Sequence, residues 1–283
     1  MKTYYSPTKP QTRIYHPHLF FKVAFFAGRL VKRPKVLIES PLPAEPVLFM
    51  ANHANDYGPT AVMLALKKRK FRSWSSANML SLKTAPDQIM KTIFPNARGV
   101  LKPVCRVMSY LMAPVMASMF KAAGVVPVYR DIRIKTTYTK TIETLKEGLD
   151  VVIFPESIVP NPENPYLDTL QKGAFKTLGF CKKYLGSVPK IYPVYCCRSL
   201  DTVVIGAPVI FDESLPVADA EEKATDEINA AVKRLGESLP PHKVTHYAVL
   251  PKNIDNIRKY MTYNEEKIYE QLREYYIEHN AEN

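Results

Sequence analysis

Short runs of consecutive apolar residues, each closed by a polar or breaker cluster, recur along the chain. Val47-Leu48-Phe49-Met50 runs into Ala51-Asn52-His53-Ala54-Asn55-Asp56-Tyr57-Gly58-Pro59. It reads as a buried strand that delivers side chains to a turn. Val36–Glu39, Ala123–Asp131, Asp150–Ser157, Ile191–Tyr195 and Thr202–Ile205 read as further strands. Pro59 opens a helix between the first of these, Thr136–Glu147 forms another closed by Gly148, and Ala220–Leu235 and Asn256–His279 place apolar residues at helical spacing. Strands alternating with helices of this length predict an α/β fold: a single domain whose mixed, mostly parallel sheet is flanked by helices. Ligands sit at strand ends in such sheets. Three of the predicted strand ends carry His53 with Asp56, Arg130, and Glu156.

Four segments stand outside this alternation. In Leu19–Arg33 the cations Lys22, Arg29 and Arg33 share one helical face, and five Phe and Leu residues occupy much of the remainder. That pattern suits an interfacial membrane helix or a helix packed on the core. Lys67-Lys68-Arg69-Lys70 reads as a solvated cluster that complements a helix C-terminus. The Met-rich stretch Cys105–Phe120, interrupted by Pro114, is either buried core or the wall of an acyl-chain groove. Val159–Pro165 holds three prolines and must be extended, positioned to form a lid after Glu156. The expected organisation is an N-terminal amphipathic, membrane-associating segment over 1–40, the α/β domain over 41–250 and a helical extension over 251–283.

Charge sharpens the picture. Residues 1–150 hold 24 Lys and Arg against 8 Asp and Glu, a balance of +16, whereas residues 151–283 hold 15 against 19, a balance of −4. The positive field therefore lies on the half with His53, and it attracts phosphates or an anionic lipid surface. No stacking motif or recognition helix accompanies it, so nucleic acid is not an expected partner. Cys105, Cys181, Cys196 and Cys197 lack zinc spacing and read as reduced, buried thiols. No uncharged apolar run reaches the roughly 18–20 residues of a spanning helix, so a membrane encounter would be peripheral.

A neutral imidazole can take a proton from a hydroxyl, and a nearby carboxylate can fix its tautomer. His53 and Asp56 are therefore a candidate base and its orienter, and no metal or cofactor is needed. Asn52-His53 with Asp56, then Gly124 to Arg130, then Phe154-Pro155-Glu156-Ser157, then Ile191-Tyr192-Pro193-Val194 resemble, in this order, four motifs of the glycerolipid acyltransferase superfamily, the 1-acylglycerol-3-phosphate acyltransferases and their relatives. The resemblance spans roughly residues 45–240. It implies that His53 is the general base, that Arg130 grips the acceptor's phosphate, and that Glu156 places the acceptor's glycerol. Asn52, Ser157 and Lys172, the last beside Gly173 at a helix start, are implied as further acceptor-binding residues. The implied activity transfers an acyl group from acyl-CoA or acyl carrier protein to a lysophospholipid on the cytoplasmic face of an anionic phospholipid membrane. Two departures stand out. The family's Asp falls five residues after its His, where this chain has Gly58, so either Asp56 serves from a shorter loop or the orienter is absent. Ser157 stands where the family has Gly.

Overall fold

The computed structural model describes residues 33–94, 97–157, 159–247 and 270. The expected amphipathic helix over 19–33, apart from Arg33, and the helix over 256–279, apart from Glu270, lie outside them. In chain order the elements begin β1 (Lys35–Ile38), β2 (Leu48–Ala51), α1 (Tyr57–Ala65), β3 (Phe71–Ser76), α2 (Ala85–Thr92), α3 (Leu101–Ala122) and β4 (Val126–Val128). They continue with α4 (Ile134–Lys146), β5 (Asp150–Ile153), α5 (Lys172–Leu185), β6 (Ile191–Cys197), β7 (Thr202–Ile205) and α6 (Val217–Glu237). The strands form one sheet in the order β1-β7-β6-β2-β5-β3-β4, and every pair is parallel except β6 with β7. The expected α/β class, with a mostly parallel sheet and flanking helices, is what folds.

The central strands are buried at every position and, Asp150 apart, apolar, because both of their faces are covered. Leu48, Met50, Val151 and Ile153 pack with Ile142 of α4, Phe175 and Leu178 of α5, and Ile228 and Val232 of α6. Their neighbours Phe49, Ala51 and Val152 point the other way, onto Ala61, Val62 and Leu66 at α1. The period of two thus splits one apolar run between two cores. A third, smaller cluster joins α2 to α3 through Ala85, Ile89 and Ala113. β3, α2 and α3 were not among the predicted elements. Every residue of β3 is half-buried and its sequence, FRSWSS, is mainly polar, so it offers no apolar run.

The basic cluster after α1 is not uniformly solvated. Arg69 turns inward and its Nη2 donates to Oδ1 of Asp150 at 2.7 Å, while the same oxygen accepts from the Val47 amide at 3.0 Å. Its guanidinium also donates to the carbonyls of Pro43 and Glu45. Arg69 therefore ties the starts of β2 and β5 to the loop before them, using the planar fork of donors that Lys lacks. The Asp150 side chain is 3% exposed, and the Arg69→Ala variant would leave it as a buried charge without its partner. We expect that variant to lose about 3 kcal/mol or more of stability in urea denaturation. An unchanged midpoint would show that the clamp is inconsequential.

Candidate active site

β2 ends at Ala51 and hands the chain to Asn52 and His53, which leave at the C-terminal edge of the sheet. Ala54 and Asn55 then adopt left-handed backbone conformations, with φ of 43° and 59°. Asn enters this region readily, whereas Ala does so at a cost of roughly 1–2 kcal/mol, offset here by complete burial of its methyl group. The turn folds the Asn55 carbonyl back onto Nδ1 of His53, where the two form a hydrogen bond. A carbonyl can only accept. Nδ1 therefore carries the proton, and Nε2 keeps its lone pair.

The ring lies between Phe154 and Tyr247, with centroids 5.2 and 4.1 Å away. Desolvation by these surroundings lowers the imidazole pKa below its ordinary 6.5, against the opposing pull of the Asn55 carbonyl and the more distant Asp56 charge. His53 is thus neutral at pH 7, with one tautomer fixed and a basic nitrogen available.

The His53 backbone is held by Glu156. The amides of His53 and Asp168 both donate to the Glu156 carboxylate, the second at 2.9 Å, and the Gln171 side chain donates to the Glu156 carbonyl at 2.7 Å. Glu156 is 4% exposed. Burial first, and the Asp168 charge second, push its pKa up to about 8 despite the two amide donors. Asp168, equally buried, accepts from Nδ1 of His246 at 2.9 Å and from the Tyr247 amide at 2.8 Å. Since Tyr247 packs on the His53 ring, the interactions close a circuit that starts at the His53 backbone amide and runs through Glu156, Asp168 and Tyr247 back to the His53 side chain. Asn55, Asp168, His246 and Tyr247 were not among the expected site residues. Only the apolar-to-polar step at Leu167-Asp168 marks one of them locally.

The other expected residues divide. Asp56 is exposed at the start of α1 and makes no side-chain cap. The role of orienter passes from it to the Asn55 carbonyl, because the tight turn aims the backbone, not the carboxylate, at Nδ1. Gly58 cannot be replaced by the family's Asp on this backbone. Its amide donates to the His53 carbonyl, and a Cβ there would overlap that oxygen and come within 2.7 Å of the Asn52 carbonyl.

Asn52 is 1% exposed and pairs both ends of its amide with the Cys196 backbone, at 3.2 and 2.6 Å. Its work is to fasten β2 to β6, not to meet a substrate. Ser157 is buried and its hydroxyl accepts from the Val159 amide, a local turn. The Lys172 side chain is 85% exposed and pairs with Glu222 of α6. The proline-rich segment is no free lid, since Asn164 donates to the Asn229 carbonyl and side chain at 2.9 and 2.8 Å and so anchors it to α6.

Arg130 stays at the same edge as His53. Leu48 pairs with Val151, Phe71 with Asp150 and Val128 with Ser76, which sets Val128 level with Asn52 and Arg130 just beyond. It is exposed, two residues past the end of β4, which is the third strand from β2, or about 14 Å along the sheet at about 4.8 Å per strand. Arg133 follows it, over the ring of Tyr129 and paired with Asp131. The edge thus offers a neutral base at its centre and cations at its flank. Among the described residues, no cluster of His, Cys, Asp and Glu is suited to hold a metal ion.

Gly58→Ala should lower stability by about 1–3 kcal/mol through overpacking against two carbonyls, measured by denaturant unfolding, and Gly58→Asp should do no better. The Asp168 carboxylate raises the pKa of His246 above 6.5. Its stabilising effect is therefore complete below that pH and is lost as pH rises through the raised value. Hydrogen exchange of the Tyr247 amide, corrected for intrinsic rate, should accelerate across that window, and His246→Gln should remove the step. A step that persists in the variant would assign it to Glu156 instead.

No family model matches the chain, and none of the curated proteins is similar to it at a significant level.

Proposed function

We propose that this protein is a peripheral O-acyltransferase of the cytoplasmic membrane face, moving a fatty acyl group from acyl-CoA or acyl carrier protein to a lysophospholipid such as lysophosphatidate. The observation that carries the proposal is His53, desolvated, neutral, and held through Nδ1 so that Nε2 is the basic atom. In this reading Nε2 takes the acceptor hydroxyl's proton as its oxygen attacks the thioester carbonyl. The tetrahedral intermediate collapses with cleavage of the carbon–sulfur bond, and the imidazolium returns its proton to the leaving thiolate. Ester and thiol are the products, and the base ends as it began. General-base assistance of this kind is worth about 10²–10⁴ in rate.

Glu156 acts in this scheme through the His53 backbone, which makes it a positioning residue. Arg130 suits an acceptor phosphate that reaches the edge of the sheet, since a guanidinium binds phosphate oxygens in a planar fork. The four ordered motifs and the positive field of the N-terminal half support the same chemistry.

A second reading is a lipid-binding relative that has lost turnover. It is favoured by the closed position at Gly58, which denies His53 the carboxylate that would stabilise its imidazolium. Transfer assays with palmitoyl-CoA, palmitoyl carrier protein and a panel of lysolipids separate the two. The acyltransferase reading expects turnover that falls by about 10² or more in His53→Ala with folding intact, and undiminished transfer in that variant would overturn it. Because the Asn55 carbonyl orients the ring, Asp56→Asn should keep turnover within a few-fold of the parent. A loss of orders of magnitude would restore Asp56 as orienter.

A further inference from the structure

α3 is the longest helix described, and it turns much of its apolar character outward. Val104, Val107, Met108, Leu111 and Val115 recur at helical spacing on one face, each between 43% and 65% exposed. Leu101 extends the stripe toward the helix start. The opposite face is satisfied: Ala113 and Ala117 are buried, and Met112, Met116 and Phe120 pack against the cluster that contains Ile89 of α2. No described residue covers the outer stripe. Pro114 lies on this exposed side without breaking the helix. A monomer in water rarely leaves so long a contiguous apolar strip on its surface.

The charge around the strip identifies what covers it. The charged residues on α3 itself, Lys102, Arg106 and Lys121, are all cationic, and between residues 77 and 125 the sole acid is Asp87. Asp87 is itself bound by Arg106 at 2.5 Å. Arg106 also lies over the ring of Tyr110, 4.8 Å from its centroid, at one margin of the strip. Tyr and Arg are side chains that keep an apolar body in hydrocarbon and a polar tip in water. A protein partner with an acidic rim could also meet such a surface, but the centre of the strip carries only Val, Leu and Met side chains, and interfaces between proteins are usually organised around aromatic or Arg anchors.

We propose that the outer face of α3 is a docking surface for an anionic lipid bilayer, on which the helix lies flat. It does not span the bilayer, because its inner face is fixed to α2 and its last residues lead within a few positions into β4. A helix of 22 residues laid flat is about 33 Å long and sinks its apolar face into the boundary between headgroups and acyl chains. The inference rests on this surface alone and stands whether or not the protein transfers acyl groups.

The test is flotation of the full chain with phosphatidylcholine vesicles containing phosphatidylglycerol or none. Binding should need the anionic lipid, and the double variant Val107→Glu/Leu111→Glu, checked for folding by circular dichroism, should lower the bound fraction at least tenfold. The chain has one tryptophan, Trp74, so Trp74→Phe/Leu111→Trp gives a single fluorophore on the strip. Its emission should be that of an exposed indole in buffer and shift to the blue with anionic vesicles. Full binding by the double-Glu variant would overturn the proposal. So would an emission already blue in buffer, meaning that another part of the chain or a second copy covers the strip; light scattering distinguishes these two. His53→Ala should bind vesicles as the parent does, and the double-Glu variant should keep any turnover on a monomeric short-chain acceptor, so failure of the docking surface and failure of the catalytic reading remain distinguishable.

Discussion

The site depends on one buried carboxylate. Glu156 receives amides from two segments that are otherwise unrelated, the turn after β2 and the loop before α5, and so decides where His53 stands. Burial in a medium of low polarity strengthens each of these bonds and also makes the charge expensive, which is why the acid's affinity for protons rises. Asp168 sits close enough to add repulsion, and it accepts a hydrogen bond from His246 on the far side. The outcome is a chain of alternating donors and acceptors whose last member, Tyr247, rests on the ring whose backbone is the first.

The histidine's surroundings set its acidity and its orientation by separate means. The aromatic neighbours remove water and so favour the uncharged ring. The backbone turn selects which nitrogen is protonated. A carbonyl stabilises the positive ring less than a carboxylate does, so this arrangement suits a base that is needed neutral and is charged only transiently.

Most strands and half of the described helices were legible in the sequence; both faces of the central sheet are covered, which makes β2, β6 and the part of β5 after Asp150 uninterrupted apolar runs. His53, Glu156 and Arg130 were legible for a related reason: they follow the ends of β2, β5 and β4, and parallel strands place their ends along one edge. β3 escaped notice since its environment is half-buried throughout. Arg69 was misread because four adjacent cations look alike until one of them finds Asp150, 81 residues away. The choice of Asn55 over Asp56 depends on two positive φ angles, which residue types alone do not specify. Asp168, His246 and Tyr247 join the site through contacts that no spacing rule anticipates, the last two some 190 residues beyond the histidine they help to enclose.

That separation has a consequence for biosynthesis. Chains emerge from the ribosome N-terminus first and domains fold as units. The segment carrying His53 is made early, but β6, on which Asn52 fastens, and the stretch ending at Tyr247 arrive only after most of the polypeptide has been synthesised. A nascent chain stalled near residue 190 would hold the imidazole without its strand partner on one side and without its aromatic cover, so competence at this edge is acquired late in translation.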